Sequence, residues 1–288
     1  MDFSIGATIS EAARLLRLAG ISDPRREAGS LLEAVIDRDR TFVIGHPEQT
    51  ITAEQLESFR QATARRAKGE PLQYITGTQS FYGLEFEVTP DVLIPRSETE
   101  LLVETALGLL EPAQAPPIIC DVGTGSGCIT IAVLSERHGA EAIALDISPA
   151  ALGVARRNVA RHAVQERVTF FESDCFSALD KNEHQFDLIV SNPPYVAARA
   201  LETLQTEVRD HEPRMALEAG PDGLLIIQKL LSEAAVFLKP RGHMLIEIGF
   251  DQAAAVTDLA AKTKWKLLDI KKDLQGIPRL VVLHKPVS

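Results

Sequence analysis

The sequence predicts an α/β protein, a parallel sheet with helices on both faces, preceded by a small all-helical domain. Two observations carry this. Beyond about residue 115, apolar runs of strand length alternate with helical stretches, as in a sheet built from crossover units. Residues 1–70 hold helix-start signals and helical apolar spacing but no strand pattern. A chain of 288 residues has room for one large domain or two unequal ones. At 45 % apolar and 24 % charged it is an ordinary globular composition, which excludes disorder, collagen and a disulfide scaffold.

Taken in order, Thr8-x-x-Glu11 offers a capping box for a helix carrying Ala12, Leu15, Leu16 and Leu18. Asp23-Pro24 suits an N-cap followed by proline in the first turn. Thr52-x-x-Gln55 offers a second capping box, and Gly69 can close that helix. Phe81–Val88 is aromatic and β-branched, Thr89-Pro90-Asp91 supplies a turn, and a hairpin between two domains accounts for both. Strands are expected at Ile118–Val122, Ala142–Asp146, Val168–Glu172, Phe186–Ser191 and His243–Ile248. Helices are expected near Ile129–Arg137, Pro149–Ala163 and Leu224–Leu238, with Trp265–Asp269 and Leu280–His284 as a closing pair of strands.

Thirty basic against forty acidic residues give a net charge of −10, which repels phosphate backbones and disfavours broad nucleic-acid binding. Residues 1–70 are near neutral, with ten basic and eleven acidic side chains. That segment fits a partner-binding bundle and a plain solvated one about equally. Cys120, Cys128 and Cys175 form no C-x-x-C pair and read as reduced thiols, not bridges or a zinc site. No run of about 18 apolar residues is present and the first residues lack a signal-peptide pattern, so a cytoplasmic protein without membrane contact is expected.

Asp121-Val122-Gly123-Thr124-Gly125-Ser126-Gly127 directly follows the first strand of the alternating region and opens a helix. Glycines there let the backbone turn sharply and approach a ligand without a Cβ clash. Asp146, nineteen residues beyond Gly127, ends the next strand, where a carboxylate can accept ribose hydroxyls. The loop is G-x-G-x-G, neither the dinucleotide fingerprint nor a P-loop. It suits a nucleoside cofactor without a pyrophosphate, such as S-adenosylmethionine, with a dinucleotide dehydrogenase as the alternative.

Asn192-Pro193-Pro194-Tyr195 follows the strand ending at Ser191, on the sheet edge where open α/β folds do chemistry. Two prolines fix the backbone and remove two N–H donors. The Asn192 side-chain oxygen and the Pro193 carbonyl can then accept from one planar –NH2 group, and Tyr195 can stack on a flat substrate. A rigid structural turn is the plainer reading of the same residues. Their place two strands beyond Asp146 favours the functional one.

These features make the chain resemble the class I S-adenosylmethionine-dependent methyltransferases, and most closely the release-factor glutamine methyltransferases. Beyond the loop and the turn, the resemblance rests on Glu70–Gly77, Leu93–Glu100, Glu207–Arg214 and the late Lys272-Asp273-Leu274-x-Gly276-x-Pro278-Arg279. It implies a helical substrate-recognition domain at 1–73, a β-hairpin linker at 74–95 and a Rossmann-like methyltransferase domain at 96–288. It implies that Gly123, Thr124, Gly125, Ser126 and Gly127 cradle the methionine end of S-adenosylmethionine. Asp146 then lies on the ribose, Cys175 beside the adenine, and Asn192 at the cofactor as well as the substrate. Asn192, Pro193, Pro194 and Tyr195 hold the glutamine, with Asn192, Pro193 and Tyr195 as the catalytic group. The implied partners are class 1 peptide-chain release factors of bacterial or organellar type, with no direct DNA binding. Three positions depart from the family pattern. Ser97 replaces a usual proline, which loosens the linker. Cys175 replaces an aromatic or bulky apolar residue, which shifts adenine packing to Phe176. Ile277 replaces a commonly basic residue.

An amide nitrogen is a weak nucleophile, because its lone pair is delocalised into the carbonyl. Two acceptors on its N–H bonds orient it, and alkylation makes it acidic enough that no strong base is needed. Asp210, His211 and Glu212 are accordingly assigned a structural role. An N6-adenine methyltransferase would use the same turn but needs a basic cleft for a flipped base, which the charge disfavours. A ribosome-associated binding protein with vestigial catalysis would not need the intact glycine loop, Asp146 and Asn192.

Overall fold

The computed structural model describes residues 3–110 and 116–285, which form two compact units. The outermost residues of the expected domains, 1–2 and 286–288, lie outside this description. Unit 1 comprises residues up to Thr78 together with Gln205–His211, and unit 2 comprises Gln79–Leu204 and the chain from Glu212 onward.

Unit 1 is helical: α1 (Ile5–Leu18), α2 (Pro24–Ile36), α3 (Arg40–Gly45), α4 (Ala53–Ala67) and α5 (Leu72–Thr76). Helix α1 starts earlier than the Thr8 capping box predicts. Its N-cap is Ser4, whose hydroxyl accepts from the Ala7 N–H, and Thr8 is buried inside the helix. The N-cap there is decided by burial: Ile5 and Ile9 are both core residues, so the helix must extend back to include Ile5. Asp23 precedes Pro24 as expected but makes no side-chain cap. The Thr52–Gln55 box forms in both directions, at 2.9 and 3.1 Å. Gly69, at φ +94°, follows the end of α4 and donates to the Arg66 carbonyl. Leu16, Leu31, Leu32 and Phe59 make the centre of the bundle, each burial worth roughly 1.5–3 kcal/mol.

A hairpin follows, β1 (Thr78–Phe81) and β2 (Leu84–Glu87), all of it beyond Thr78 in unit 2. The reversal is at Tyr82-Gly83, both with positive φ; Thr89–Asp91 forms a separate turn after β2, closed by the Val92 N–H on the Thr89 carbonyl. A two-residue turn of this kind matches the strand twist, so both strands fit within the short aromatic segment. Next come a 3-10 turn at Ser97–Thr99 and α6 (Glu100–Leu109). The alternation then runs β3 (Ile118–Val122), α7 (Cys128–Glu136), β4 (Glu141–Asp146), α8 (Pro149–Arg161), β5 (Val168–Glu172) and β6 (Phe186–Ser191). Helix α9 (Thr206–His211) lies in the segment assigned to unit 1; α10 (Leu225–Glu233), β7 (Leu238–Glu247), α11 (Ala253–Lys262), β8 (Lys266–Lys272) and β9 (Pro278–His284) follow.

The seven strands lie in the order β5-β4-β3-β6-β7-β9-β8; the first five are parallel, and β9 pairs antiparallel with both β7 and β8. One sheet face packs on Leu102, Val103, Ile131 and Val190, the other on Ile189, Leu230, Met244 and Ile246. Strands buried on both sides read as continuous apolar runs, which is why these were legible. The helix expected through Leu238 instead stops at Glu233, passes through a 3-10 turn at Ala234–Phe237 and becomes β7. Pairing jumps from Phe186–Leu238 to Leu188–His243, so the polar Lys239–Gly242 stretch is an irregularity inside a strand, not a break before one.

Candidate active site

The chain leaves β3 for β4 on one side and later enters β6 on the other, so β3 and β6 flank the topological switch point. The loop Gly123–Gly127, Asp146 and Asn192 follow or end three adjacent strands at that edge. The amides of Gly123 and Thr124 both donate to the Leu145 carbonyl, at 2.8 and 2.9 Å, which latches the loop to β4. Gly123, Gly125 and Gly127 all have φ between +56° and +80°, where a side chain is strained. Gly127 also caps α7, and a Cβ there would meet Ala155 and Ile131 at 3.4 Å.

Asp146 accepts from the Gly125 N–H through Oδ2 and from the Ser148 N–H through Oδ1, each at 2.9 Å. The carboxylate therefore shapes the glycine loop while keeping lone pairs for a further donor. Burial raises its pKa, against the opposing effect of these amides. Beneath it, fully buried Asp121 accepts from the hydroxyls of Thr124 and Thr130 on Oδ2, at 2.8 and 2.7 Å. Its Oδ1 has no partner, and burial pushes its pKa up to about 6. Asn158 on α8 joins this loop to the hairpin, donating to the carbonyls of Ser126 and Glu87 and accepting from the Glu87 N–H.

A cavity of about 620 Å³ opens over these elements. Gly123, Thr124, Gly125, Ser126, Asp146, Cys175, Asn192, Pro193 and Pro194 line it, together with Arg96, Thr99 and Met215. Of the residues expected at the site, Gly127 and Tyr195 are not in its wall. Gly127 acts through the helix it caps. Tyr195 is held by its backbone: buried Gln252 donates to the carbonyls of Tyr195 and Gly223, each at 3.0 Å, and accepts from the Gly249 N–H. Burial, with the charge of Glu247 adding to it, pushes the Tyr195 phenol up to about 12. Cys175 lies on the wall at φ +51°, its thiol pushed up to about 11 by burial, so it is contact surface rather than a nucleophile. Phe176 is not in the cavity wall. It is a core residue, stacked on Phe237 with ring centroids 5.0 Å apart.

Behind Asn192 lies a group the sequence did not expose. The Asn192 Nδ2 donates to the Thr99 hydroxyl at 3.1 Å, and both side chains help to stabilise the charge of the buried Glu247 carboxylate. Arg96, on the cavity wall, pairs with Glu212, whose side chain is 1 % exposed; the Ile94 N–H also donates to Glu212. Among these, only the segment motifs containing Thr99, Arg96 and Glu212 were visible beforehand. Glu247 and Gln252 carry no local pattern, because Asn192 lies 55 residues before Glu247, and the carbonyls that Gln252 holds, at Gly223 and Tyr195, lie 29 and 57 residues before it.

Residues 7–77 match the family described as the PrmC N-terminal domain, and residues 98–220 the methyltransferase small domain. The release factor glutamine methyltransferase of Koribacter versatilis (strain Ellin345) is 42 % identical over 277 residues, spanning 96 % of this chain and 97 % of the relative. The protein of the same name from Geobacter sulfurreducens is 42 % identical over 262 residues, 91 % of this chain and 90 % of the relative. A methyltransferase structure from Pyrococcus furiosus shares the fold, with a TM-score of 0.53 at 18 % identity over 80 % of this chain and 100 % of that one. No helix among the described residues is long and apolar enough to cross a membrane. With this sheet order, this switch-point cavity and relatives of such identity along nearly its whole length, the chain belongs to the release factor glutamine methyltransferase family.

Proposed function

We propose that this protein transfers the methyl group of S-adenosylmethionine to the side-chain nitrogen (N5) of the glutamine in the Gly-Gly-Gln loop of peptide-chain release factors. The observation that carries this reading is the shared cavity wall: the glycine loop and Asp146 on one part, the Asn192-Pro193-Pro194 turn on another. The residues present fit the cofactor. Asp121, Asp146 and the cavity-lining Asp174 place carboxylates at or beneath the wall, complementary to a ligand bearing ammonium, sulfonium and a ribose diol. The cofactor supplies an electrophilic methyl group.

The chain's own residues do the rest. Gly123–Gly127 bring backbone close to the methionine end, and Asp146 takes the ribose. Cys175 lies along the adenine. The Asn192 side-chain oxygen and the Pro193 carbonyl accept from the two N–H bonds of the glutamine amide, turning its nitrogen towards the methyl group. Pro194 stiffens that wall, and Tyr195 serves through the fixed backbone of the turn. Bound S-adenosylmethionine would supply the methyl group, its sulfonium sulfur keeping the bonding pair as the N–C bond formed, and the amide proton would depart to water from a nitrogen that alkylation makes acidic.

The glycines flanking the glutamine add no side-chain bulk, so the amide can enter a narrow pocket. The helical domain at 1–73 recognises another part of the folded factor, the hairpin at 74–95 links it, and 96–288 carries the chemistry in the cytoplasm. Mass spectrometry of intact class 1 release factors after incubation with labelled cofactor tests this. Methylation of the Gly-Gly-Gln glutamine in the folded factor, with much poorer methylation of an isolated peptide, is expected. Transfer to DNA adenine with none to release factors would overturn the assignment.

A further inference from the structure

We propose that Glu247 and Thr99 are positioning residues that fix the side-chain amide of Asn192 with its oxygen turned to the substrate; this rests on the function proposed above. A carboxamide has nearly isosteric ends, and only one of them serves here. Presenting the oxygen accepts a substrate N–H, whereas presenting the –NH2 repels it. Pocket shape alone does not choose between the two.

The choice is made behind the turn. Ser191, the last residue of β6, is registered with Ile246 on the neighbouring parallel strand, and Asn192 and Glu247 directly follow these two residues. Thr99, 2 % exposed, closes the group from the 3-10 turn before α6. Asn192 Nδ2 has two hydrogens. One goes to the Thr99 hydroxyl at 3.1 Å, and both Asn192 and Thr99 act to stabilise the ionised Glu247 carboxylate, which favours turning their donors towards it. The hydroxyl that accepts from Asn192 is left with its own proton to donate to the carboxylate. An ionised carboxylate is acceptor-only, so reversing the Asn192 amide would set oxygen against oxygen. The triangle is satisfied in one orientation.

Stability alone does not account for this carboxylate. Glu247 is 4 % exposed and its Oε2 has no hydrogen-bond partner. A buried polar atom left unpaired is unfavourable, and an apolar side chain of similar volume would serve packing as well or better. A group kept against that penalty beside the turn that grips the substrate has a use in the reaction.

The test uses the full-length protein, intact release factor and S-adenosylmethionine, with Glu247→Gln, Thr99→Val and Thr99→Ser. Glu247→Gln keeps shape but adds a donor; Thr99→Val keeps shape but removes the hydroxyl. Each is expected to lower kcat at least tenfold while the cofactor Kd by calorimetry stays within twofold. Thr99→Ser restores kcat to within threefold of wild type, and Glu247→Gln with Thr99→Val together loses no more than the worse single change. The inference is overturned if both isosteric variants keep kcat within threefold, if Thr99→Ser is as slow as Thr99→Val, or if the cofactor Kd rises in step with the loss. A wild-type protein that transfers nothing to release factors overturns the function reading and this inference together, whereas an active wild type with unaffected variants overturns the inference alone.

Discussion

Gln252 Nε2 donates to the carbonyl oxygen of Tyr195 at 3.0 Å, and this bond ties the end of the Asn192–Tyr195 turn to the N-cap of α11. The same nitrogen donates to Gly223, so one buried side chain holds two loops. The turn is rigid because of this brace as well as its prolines.

Gly223→Ala is therefore expected to be damaging. The residue has φ +78°, and a Cβ would stand 2.4 Å from the Tyr195 oxygen and 2.9 Å from Gln252 Nε2. The left-handed backbone alone costs about 1–2 kcal/mol for a residue with a Cβ, and the clash forces the turn to move. We expect more than about 2 kcal/mol of lost stability in denaturant titration and at least a tenfold fall in kcat. Gly276→Ala, at φ +80° with nothing within 4 Å, provides the comparison. It should show the backbone penalty alone, and equal damage from the two variants would show that the brace is not what matters.

Asp146→Ala removes a carboxylate that serves both the Gly125 amide and, as proposed, the ribose. A hydrogen bond to a charged group is worth about 1.5–3 kcal/mol, or roughly ten- to a hundredfold in S-adenosylmethionine Kd. Calorimetry measures this directly. An unchanged Kd would remove Asp146 from the cofactor site.

In unit 1, Arg66 is 3 % exposed and pairs with Glu27 of α2 and, at 2.6 Å, with Glu207 of the segment that returns to this unit. Their exposures decide which partner matters more: the Glu27 side chain is 17 % exposed and that of Glu207 39 %. Removing Arg66 strands the more buried carboxylate, and breaking such a pair costs about 3–5 kcal/mol. Removing Glu207 leaves the arginine its other partner, and a half-exposed pair is worth about 1 kcal/mol or less. Chemical denaturation of Arg66→Met and Glu207→Gln should show that order, and the reverse order would refute it.

The parallel strands were legible because burial on both faces makes them short apolar runs, and the glycine loop because its backbone needs residues without a Cβ. The start of α1 was misplaced because tertiary burial of Ile5 outweighed a good local capping pattern at Thr8. The hairpin reversal at Tyr82-Gly83 was missed because the plainer turn signal, at Thr89–Asp91, belongs to the separate turn after β2. Glu247, Gln252 and Asn158 were invisible for a different reason. Their work is done across strands and loops distant in sequence, so nothing adjacent marks them.

The pH dependence of stability provides the last prediction, and it opposes stability to rate at one residue. Burial pushes the Glu247 pKa from 4.5 up to about 7; the Thr99 and Asn192 hydrogen bonds and the charge of Arg279 act against this, and Glu98 acts with it. An acid whose pKa is raised by folding binds its proton more tightly when folded. Its contribution to stability is present below about pH 4.5 and is lost as pH rises through about 7. At 1.36 kcal/mol per pKa unit, that loss amounts to about 3 kcal/mol. Glu247→Gln cannot titrate, so the stability difference between it and wild type should shift in favour of the variant by about this much from pH 4.5 to pH 7.5. Asp121, also raised by burial, titrates in both proteins and cancels in the comparison. Over the same range the wild-type kcat should rise with pH as the carboxylate becomes acceptor-only, while the variant, stable but with a free choice of amide orientation behind Asn192, stays slow and loses that rise. Parallel stability curves for the two proteins would place the Glu247 pKa near its ordinary value, and a variant as fast as wild type at pH 7.5 would separate the buried charge from the reaction.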